Sequence, residues 1–241
     1  MASRDSHRSC GLLLRRLLVV VAVIAFGQTT TVSALRAADV ATVSFVNDVM
    51  PLLTKAGCNA GVCHAKAGGG QNGFELSLLG FEPREDYDHL VREGRGRRLF
   101  PAAPEQSLLL RKASGQVAHG GGVRLPPESD GYALIRNWIR QGTPLAGDKE
   151  RELLSIEVLP PRGMLPSDGR QQLKAVAHYS DGTVRDVTDL ALYESNDRAM
   201  AEVTDHGLVT ALGIPGKVSI MLRYQGMVAV YNASVPLGAG G

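Results

Sequence analysis

The spacing of apolar residues changes near residue 150, and this change constrains the fold more than any other feature of the sequence. Before it, apolar side chains recur at helical spacing, as in the stripe within 132–139. After it, alternate positions are apolar, and turn sequences such as Gln225-Gly226 separate short segments. We therefore predict a helical domain over residues 39–147 and an antiparallel sandwich of β-strands over residues 152–236.

Composition and charge narrow the class of protein. The 241 residues are 44% hydrophobic and 21% charged, which is typical of a globular protein. The formal net charge is +2, but four of the 26 basic residues and one of the 24 acidic residues lie within residues 1–34. The rest of the chain therefore carries a net charge of −1, which does not favour binding to nucleic acid.

Residues 1–34 have the pattern of a secretory signal peptide. A basic start precedes ten apolar residues from Leu17 to Phe26, and small residues follow at Val32-Ser33-Ala34. We predict cleavage after Ala34, export to the periplasm or the cell surface, and no membrane span after cleavage. An uncleaved anchor is the alternative, although ten residues are about half of what a spanning helix requires.

The segment Gly57-Cys58-Asn59-Ala60-Gly61-Val62-Cys63-His64 carries the clearest chemical signal. Two thiols with an imidazole beside the second are the groups that hold a covalently attached haem: each sulfur bonds one vinyl group, and the imidazole binds the iron. The usual spacing has two residues between the cysteines, whereas this chain has four. The additional residues must bulge, which Gly61 permits.

Three other interpretations of this segment stay open. A Cys58–Cys63 disulfide suits an oxidising compartment. A zinc site would need four ligands, and only two thiolates and His64 cluster here. A catalytic cysteine is the third alternative, although thiols outside the cytoplasm tend to be oxidised.

A resemblance to known families adds to this interpretation. The first domain is similar to class I cytochromes c, and more closely to the cytochrome-like module of secreted planctomycete proteins. The matching segments are Phe45–Leu53, Gly57–His64, Asn72–Phe74, Arg92–Arg98, His119–Gly121 and Trp138–Gly142. The second domain resembles bacterial Ig-like domains of group 2, through Tyr179–Thr183, Asp186–Thr188, Ser195–Asp197 and Gly207–Leu212.

The resemblance implies an all-α, class I cytochrome c-like fold for residues 39–147, with an all-β Ig-like sandwich after it. It also implies one covalent haem c, because four residues between the cysteines are usual in the planctomycete module. Cys58 and Cys63 would form the thioethers, and His64 would be the proximal iron ligand. Ig-like domains of this group usually serve as spacers or adhesive modules.

The distal iron ligand is best assigned to His119. Glycines follow it in the sequence and allow the backbone to approach a flat cofactor, and the related module has a histidine at this place. The other candidates are His89, which we expect on a solvated helix, Met50, which we expect in the core, and Met164 in the second domain.

The basic segment 92–98 has two open interpretations. Its arginines, Arg95 and Arg97 among them, are expected either to contact haem propionates or to dock an acidic redox partner, and a solvated basic loop is the alternative.

Together these features predict an exported electron-transfer protein rather than an enzyme. Its partners would be a redox protein and a cell-surface or larger secreted assembly. Two alternatives remain: a haem-free surface adhesion protein with a Cys58–Cys63 disulfide, and a haem sensor or peroxidase with an open coordination site.

Overall fold

The computed structural model describes residues 41–146 and 151–237. The predicted signal peptide, residues 1–34, lies outside the described residues. The two described stretches belong to one compact unit. No helix within them is long and apolar enough to cross a membrane.

The stretch 41–146 contains short helices joined by long loops. A π-helical turn, Phe45–Val49, leads into the first α-helix, and single 3-10 turns lie at Lys66–Gly68, Leu78–Gly80, Glu93–Gly96 and Pro104–Gln106. The α-helices are α1 (Met50–Lys55), α2 (Pro83–Val91), α3 (Leu108–Ala113) and α4 (Asp130–Arg140).

The predicted all-α, class I cytochrome c-like fold for residues 39–147 is wrong. The longest helix, α4, has 11 residues, and α1 and α3 have six each. Strands, which all lie between residues 153 and 235, account for more of the described residues than α-helices do. The reason is that glycines with positive φ, such as Gly69, Gly94 and Gly115, turn the backbone between the short apolar segments.

Helix α4 nevertheless forms where its apolar stripe predicts. The Ser129 side chain accepts a hydrogen bond from the Tyr132 backbone and caps its first turn. At the other end Gly142 adopts a positive φ, and the Thr143 N–H bonds back to the Trp138 carbonyl at 3.0 Å. The buried face of α4 packs against Phe45, whose ring centroid is 5.5 Å from that of Trp138.

The stretch 151–237 contains ten strands in three small sheets. The strands are β1 (Leu153–Leu159), β2 (Arg162–Met164), β3 (Arg170–Gln172), β4 (Lys174–Tyr179), β5 (Val184–Asp186), β6 (Leu192–Ser195), β7 (Ala201–Val203), β8 (Leu208–Ala211), β9 (Gly216–Tyr224) and β10 (Met227–Val235). Their orders are β1-β4-β5, β2-β10-β9-β6 and β3-β8-β7.

The pairing differs from the predicted antiparallel sandwich at one place. Strand β10 pairs antiparallel with β9 through the turn at Gln225-Gly226, but it pairs parallel with β2. The inward side chains of β9 alternate along the strand, and Ile220 and Leu222 are fully buried in one core with Tyr231 of β10. This alternation is the period-two pattern of the sequence.

The π-helical turn before α1 is bonded to the β sheets. Asp48 forms an ion pair with Arg185 at 2.9 Å, and buried Asn47 donates to the Arg151 carbonyl at 3.0 Å. The Tyr224 hydroxyl and the Gln225 amide donate to main-chain carbonyls of the same turn. These bonds fix the start of α1 on the β-strand stretch.

Lys55, the last residue of α1, makes a second attachment. Its Nζ donates to the carbonyls of Ala191 at 2.6 Å and Asp205 at 2.5 Å, and lies 5.3 Å from the centre of the Tyr193 ring. Burial lowers the pKa of Lys55, and the nearby Asp205 carboxylate opposes that shift. Helix α1, which leads directly to Cys58, is thus held at both ends.

Candidate functional site

Helix α1 ends in a turn that determines where Cys58 lies. Gly57 adopts a positive φ of 75°, the Cys58 N–H bonds to the Leu53 carbonyl at 2.9 Å, and the Gly57 N–H bonds to the Thr54 carbonyl at 2.9 Å. This pair of bonds is a Schellman motif, which glycine after the helix end favours. The turn ends the helix and places Cys58 in the wall of a cavity.

The four residues between the cysteines form a compact loop. The Cys63 N–H bonds to the Ala60 carbonyl and the His64 N–H bonds to the Cys58 carbonyl, each at 3.0 Å. Gly61 has a φ of 47°, as the expected bulge requires. The loop brings Cys58, Cys63 and His64 to the same cavity wall.

The two histidines that the sequence singles out meet across this cavity. The ring centroids of His64 and His119 are 6.3 Å apart, and the planes are inclined by only 10°. A metal ion between two imidazole nitrogens requires a centroid separation of about 6 Å, because each metal–nitrogen bond is about 2 Å long. The observed separation of 6.3 Å is close to this value, so His64 and His119 are the residues that would hold a metal ion in this cavity.

Both imidazoles have the same hydrogen-bonding pattern. His64 Nδ1 lies 3.2 Å from the Phe74 carbonyl oxygen, and His119 Nδ1 lies 2.9 Å from the Gly122 carbonyl oxygen. A carbonyl only accepts, so each Nδ1 carries a hydrogen, and in a neutral ring Nε2 is then the nitrogen that has a lone pair for a ligand. Burial lowers the pKa of His64, which further favours the neutral, ligating form.

Gly121 creates the space in which the His119 ring lies. A Cβ atom at Gly121 would lie 3.0 Å from His119 Cε1 and 3.4 Å from Nε2, whereas one at Gly120 would contact nothing within 4 Å. The ring of His119 thus occupies the volume that a side chain would fill.

The cavity itself has a volume of about 530 Å³. That size is within the range of small-molecule and cofactor sites. Its walls are largely apolar, with contributions from Leu53, Phe74, Leu76, Leu90, Leu108 and Leu109. The cavity is therefore suited to a largely apolar ligand.

The thiols of Cys58 and Cys63 are both free and both line the cavity. Burial raises the pKa of Cys58 to about 11, although the Arg124 guanidinium opposes the shift. The disulfide that the sequence leaves open is not formed.

Zinc does not suit the donor set. Within residues 41–146 and 151–237, no three His, Cys, Asp or Glu side chains are grouped as a metal site requires. A structural zinc site needs four protein ligands, and Cys58, Cys63, His64 and His119 line the same cavity without being grouped closely enough to bind one ion by themselves. Two imidazoles suffice for iron whose remaining ligands come from a porphyrin ring.

The other predicted ligands lie elsewhere. His89 is on α2, with its ring nitrogens near the Glu85 and Glu93 carboxylates. Met50 is buried in the core of the helical stretch, and Met164 is exposed on β2.

Of the arginines in segment 92–98 that the sequence offers as propionate contacts, Arg97 and Arg98 line the cavity and Arg95 does not. Two cationic residues outside that segment, which the sequence does not assign to the site, also line it: Lys112 and Arg124. Lys112 follows Arg111 on α3, and Arg124 follows the glycine run after His119, but neither belongs to a cluster of basic residues that would mark it as part of the site.

The chain has limited similarity to known proteins. No protein-family model matches the chain. Ice-binding protein 1 of Shewanella frigidimarina is 40% identical over 68 residues, which are 28% of this chain and 8% of that protein. The chain thus spans less than a tenth of the length of this curated relative.

Two solved structures show the range of structural similarity. Domains 1–6 of surface layer protein SbsC match with a TM-score of 0.32 and 14% identity, over 37% of this chain and 14% of that one. An intimin mutant matches with a TM-score of 0.24 and 21% identity, over 36% of this chain and 47% of that one. TM-scores this low establish no common fold.

Proposed function

We propose that this chain is an exported or cell-surface protein whose helical stretch binds one haem c and transfers electrons. The observation that carries the proposal is the pair of imidazoles, His64 and His119, with centroids 6.3 Å apart across a cavity that two free thiols also line. The donor set fits this cofactor because His64 and His119 would supply two nitrogens to the iron, Cys58 and Cys63 would supply two sulfurs to the ring, and the ring would provide the remaining iron ligands.

The roles of the residues follow from their chemistry. Cys58 and Cys63 would hold the ring by thioether bonds to its vinyl groups, and His64 and His119 would bind the iron through Nε2. When bound, the haem supplies a reversible ferric–ferrous couple. The carbonyls of Phe74 and Gly122 orient the two imidazoles by accepting the Nδ1 hydrogens, which leaves Nε2 as the ligating nitrogen.

Ligation by both histidines supports electron transfer rather than catalysis. With an imidazole on each face, no coordination position is open for oxygen or peroxide. Two imidazoles also give a lower potential than a histidine–methionine pair. A redox protein is the partner that such a centre requires.

The β-strand stretch would position the redox site in a larger assembly or at the cell surface. The bonds from Asp48 and Lys55 to this stretch support a fixed spacer, because they tie α1 to it at both ends. The 68-residue similarity to an ice-binding protein supports a binding role for the matched part.

That similarity also favours a second candidate, a haem-free surface protein that acts by binding or adhesion. In this case the cavity would have no role in function, and Cys58 and Cys63 would remain thiols or oxidise.

Mass spectrometry and spectroscopy of the exported full chain distinguish the two candidates. In a bacterium with cytochrome c maturation we expect one added haem, a low-spin ferric spectrum, and loss of covalent haem in a Cys58→Ser/Cys63→Ser variant. A chain with no added mass and no colour would refute haem binding and leave the adhesion candidate.

The assignment of His119 has its own control. We expect His119→Ala to lose the low-spin ferric spectrum and to bind carbon monoxide without denaturation. His206→Ala removes an exposed histidine that pairs with Asp189, and should leave the spectrum unchanged. An unchanged spectrum in His119→Ala would show that another group binds the distal face.

A further inference from the structure

The cavity is lined by cationic side chains and by no carboxylate. The cations are Arg97, Arg98, Lys112 and Arg124, and neither Asp nor Glu is among the described residues of its wall. None of the ion pairs of residues 41–146 and 151–237 involves these four side chains. The cavity therefore has an excess of positive charge, although among its four cations Arg98 has the Glu93 carboxylate close enough to oppose the lowering of its pKa by burial.

Main-chain carbonyls hold these cations in place. Arg97 donates to the Asn72 carbonyl at 3.2 Å, and Arg98 donates to the Gly73 carbonyl. Lys112 donates to the Ala118 carbonyl at 2.7 Å. A carbonyl bond orients a cation without cancelling its charge, so each cation stays available to an anion.

The four cations do not have equal access to a ligand. Arg98 is only 5% exposed, and besides the Gly73 carbonyl it donates to the carbonyls of His89 and Glu93. Its main role is therefore to connect the segment that contains Phe74 to the end of α2. Arg124 is exposed and donates through Nε to the Gly121 carbonyl at 2.7 Å. A Cβ on Gly57 would lie 3.7 Å from Arg124 Nη1, so the guanidinium is beside the turn that positions Cys58.

We propose that the cavity selects a flat apolar ligand with two carboxylates, and that Arg124 and Lys112 are the side chains that bind the carboxylates. This inference rests on the proposed function, since a porphyrin with two propionates is the ligand of this class that also offers an iron to His64 and His119. Arg124 is suited to the role because its fork can form two parallel bonds to one carboxylate. Lys112 supplies a second charge beside the loop that carries His119.

Porphyrins that contain no iron show whether the cavity selects a ligand by its carboxylates, because the two histidines then have no iron to bind. The full chain, produced without haem maturation, is titrated with protoporphyrin IX and with its neutral dimethyl ester, and porphyrin fluorescence reports binding. We expect the diacid to bind at least about tenfold more tightly than the ester, since a hydrogen bond to a charged group contributes about 1.5–3 kcal/mol. Added salt should weaken binding of the diacid and leave the ester unaffected.

Variants assign the effect to particular residues. We expect Arg124→Gln and Lys112→Gln each to weaken the diacid about tenfold without changing the affinity for the ester. Arg124→Lys, which keeps the charge, should retain most of the preference. Arg140→Gln removes the same charge from an exposed position on α4 outside the cavity and should change neither affinity.

The outcomes separate this inference from the proposed function. Equal affinity for diacid and ester, or equal effects of Arg124→Gln and Arg140→Gln, would overturn charge selection even if the exported chain carries one haem. If neither porphyrin binds and the exported chain carries no haem, both proposals are refuted. Circular dichroism of each variant verifies that the fold is retained, and Lys112→Gln provides the test if Arg124→Gln does not fold.

Discussion

A single methyl group at Gly121 should displace His119 from a bound iron. A Cβ there would lie 3.0 Å from His119 Cε1, whereas carbon atoms in favourable contact are about 3.5–4.0 Å apart. Relief of this overlap requires the ring to move by a few tenths of an ångström. Metal–ligand distances vary by about 0.2 Å, so a displacement of this size is enough to weaken the bond from His119 to the iron.

Gly120→Ala is the matched control, because a Cβ at that position contacts nothing within 4 Å. Neither glycine has a positive φ, so alanine adds no backbone strain at either place. We expect the ferric haem protein of Gly121→Ala to show a high-spin component by absorption and electron paramagnetic resonance, with Gly120→Ala remaining low-spin. Identical low-spin spectra of the two variants would refute the assignment of His119, and so would equal high-spin fractions.

Three further predictions concern reactivity and stability. Two single-cysteine variants compare the reactivity of the thiols: at pH 8 iodoacetamide should alkylate Cys58 in Cys63→Ser more slowly than Cys63 in Cys58→Ser. The reason is that burial raises the pKa of Cys58 to about 11 and so depletes its thiolate. Equal rates in the folded protein would contradict this, and denaturant should abolish any difference. Arg185→Met leaves the Asp48 carboxylate without its partner and should lower the free energy of unfolding by about 1–2 kcal/mol, less at high salt, in urea titrations. Ile220→Ala empties a fully buried position and should cost about 2–5 kcal/mol in the same assay, and a loss below 1 kcal/mol would show that the site is less tightly packed than the structure indicates.

The sequence predicts the chain course around Cys58 and Cys63 better than it predicts the fold of the helical stretch. The order Gly57, Cys58, Cys63, His64 determines a local turn and loop, so the thiols and one imidazole are close to each other by chain connectivity alone. The all-α prediction was wrong because it extended the helical spacing of α1 and α4 across segments that the glycines turn into loops.

The glycines after His119 mark it as a candidate, but no local pattern determines where the long-range part of the site lies. His119 is 55 positions beyond His64 in the chain, and its place opposite that ring depends on the packing of the Gly120–Gly122 loop. Arg124 and Lys112 reach the cavity only through tertiary contacts, whereas Arg95, in the conspicuous basic segment, does not line it.

The sequence by itself determined the local chemistry: the two thiols beside an imidazole, the glycine-terminated helix before them, and the period-two strands of the second stretch. These features follow from bonds between near neighbours and from which face of an element is apolar. The tertiary structure decided which histidine faces His64, which cations surround the cavity, and how Asp48 and Lys55 attach α1 to the sheets. Those outcomes depend on burial and on distances between residues far apart in the chain, which no local pattern specifies.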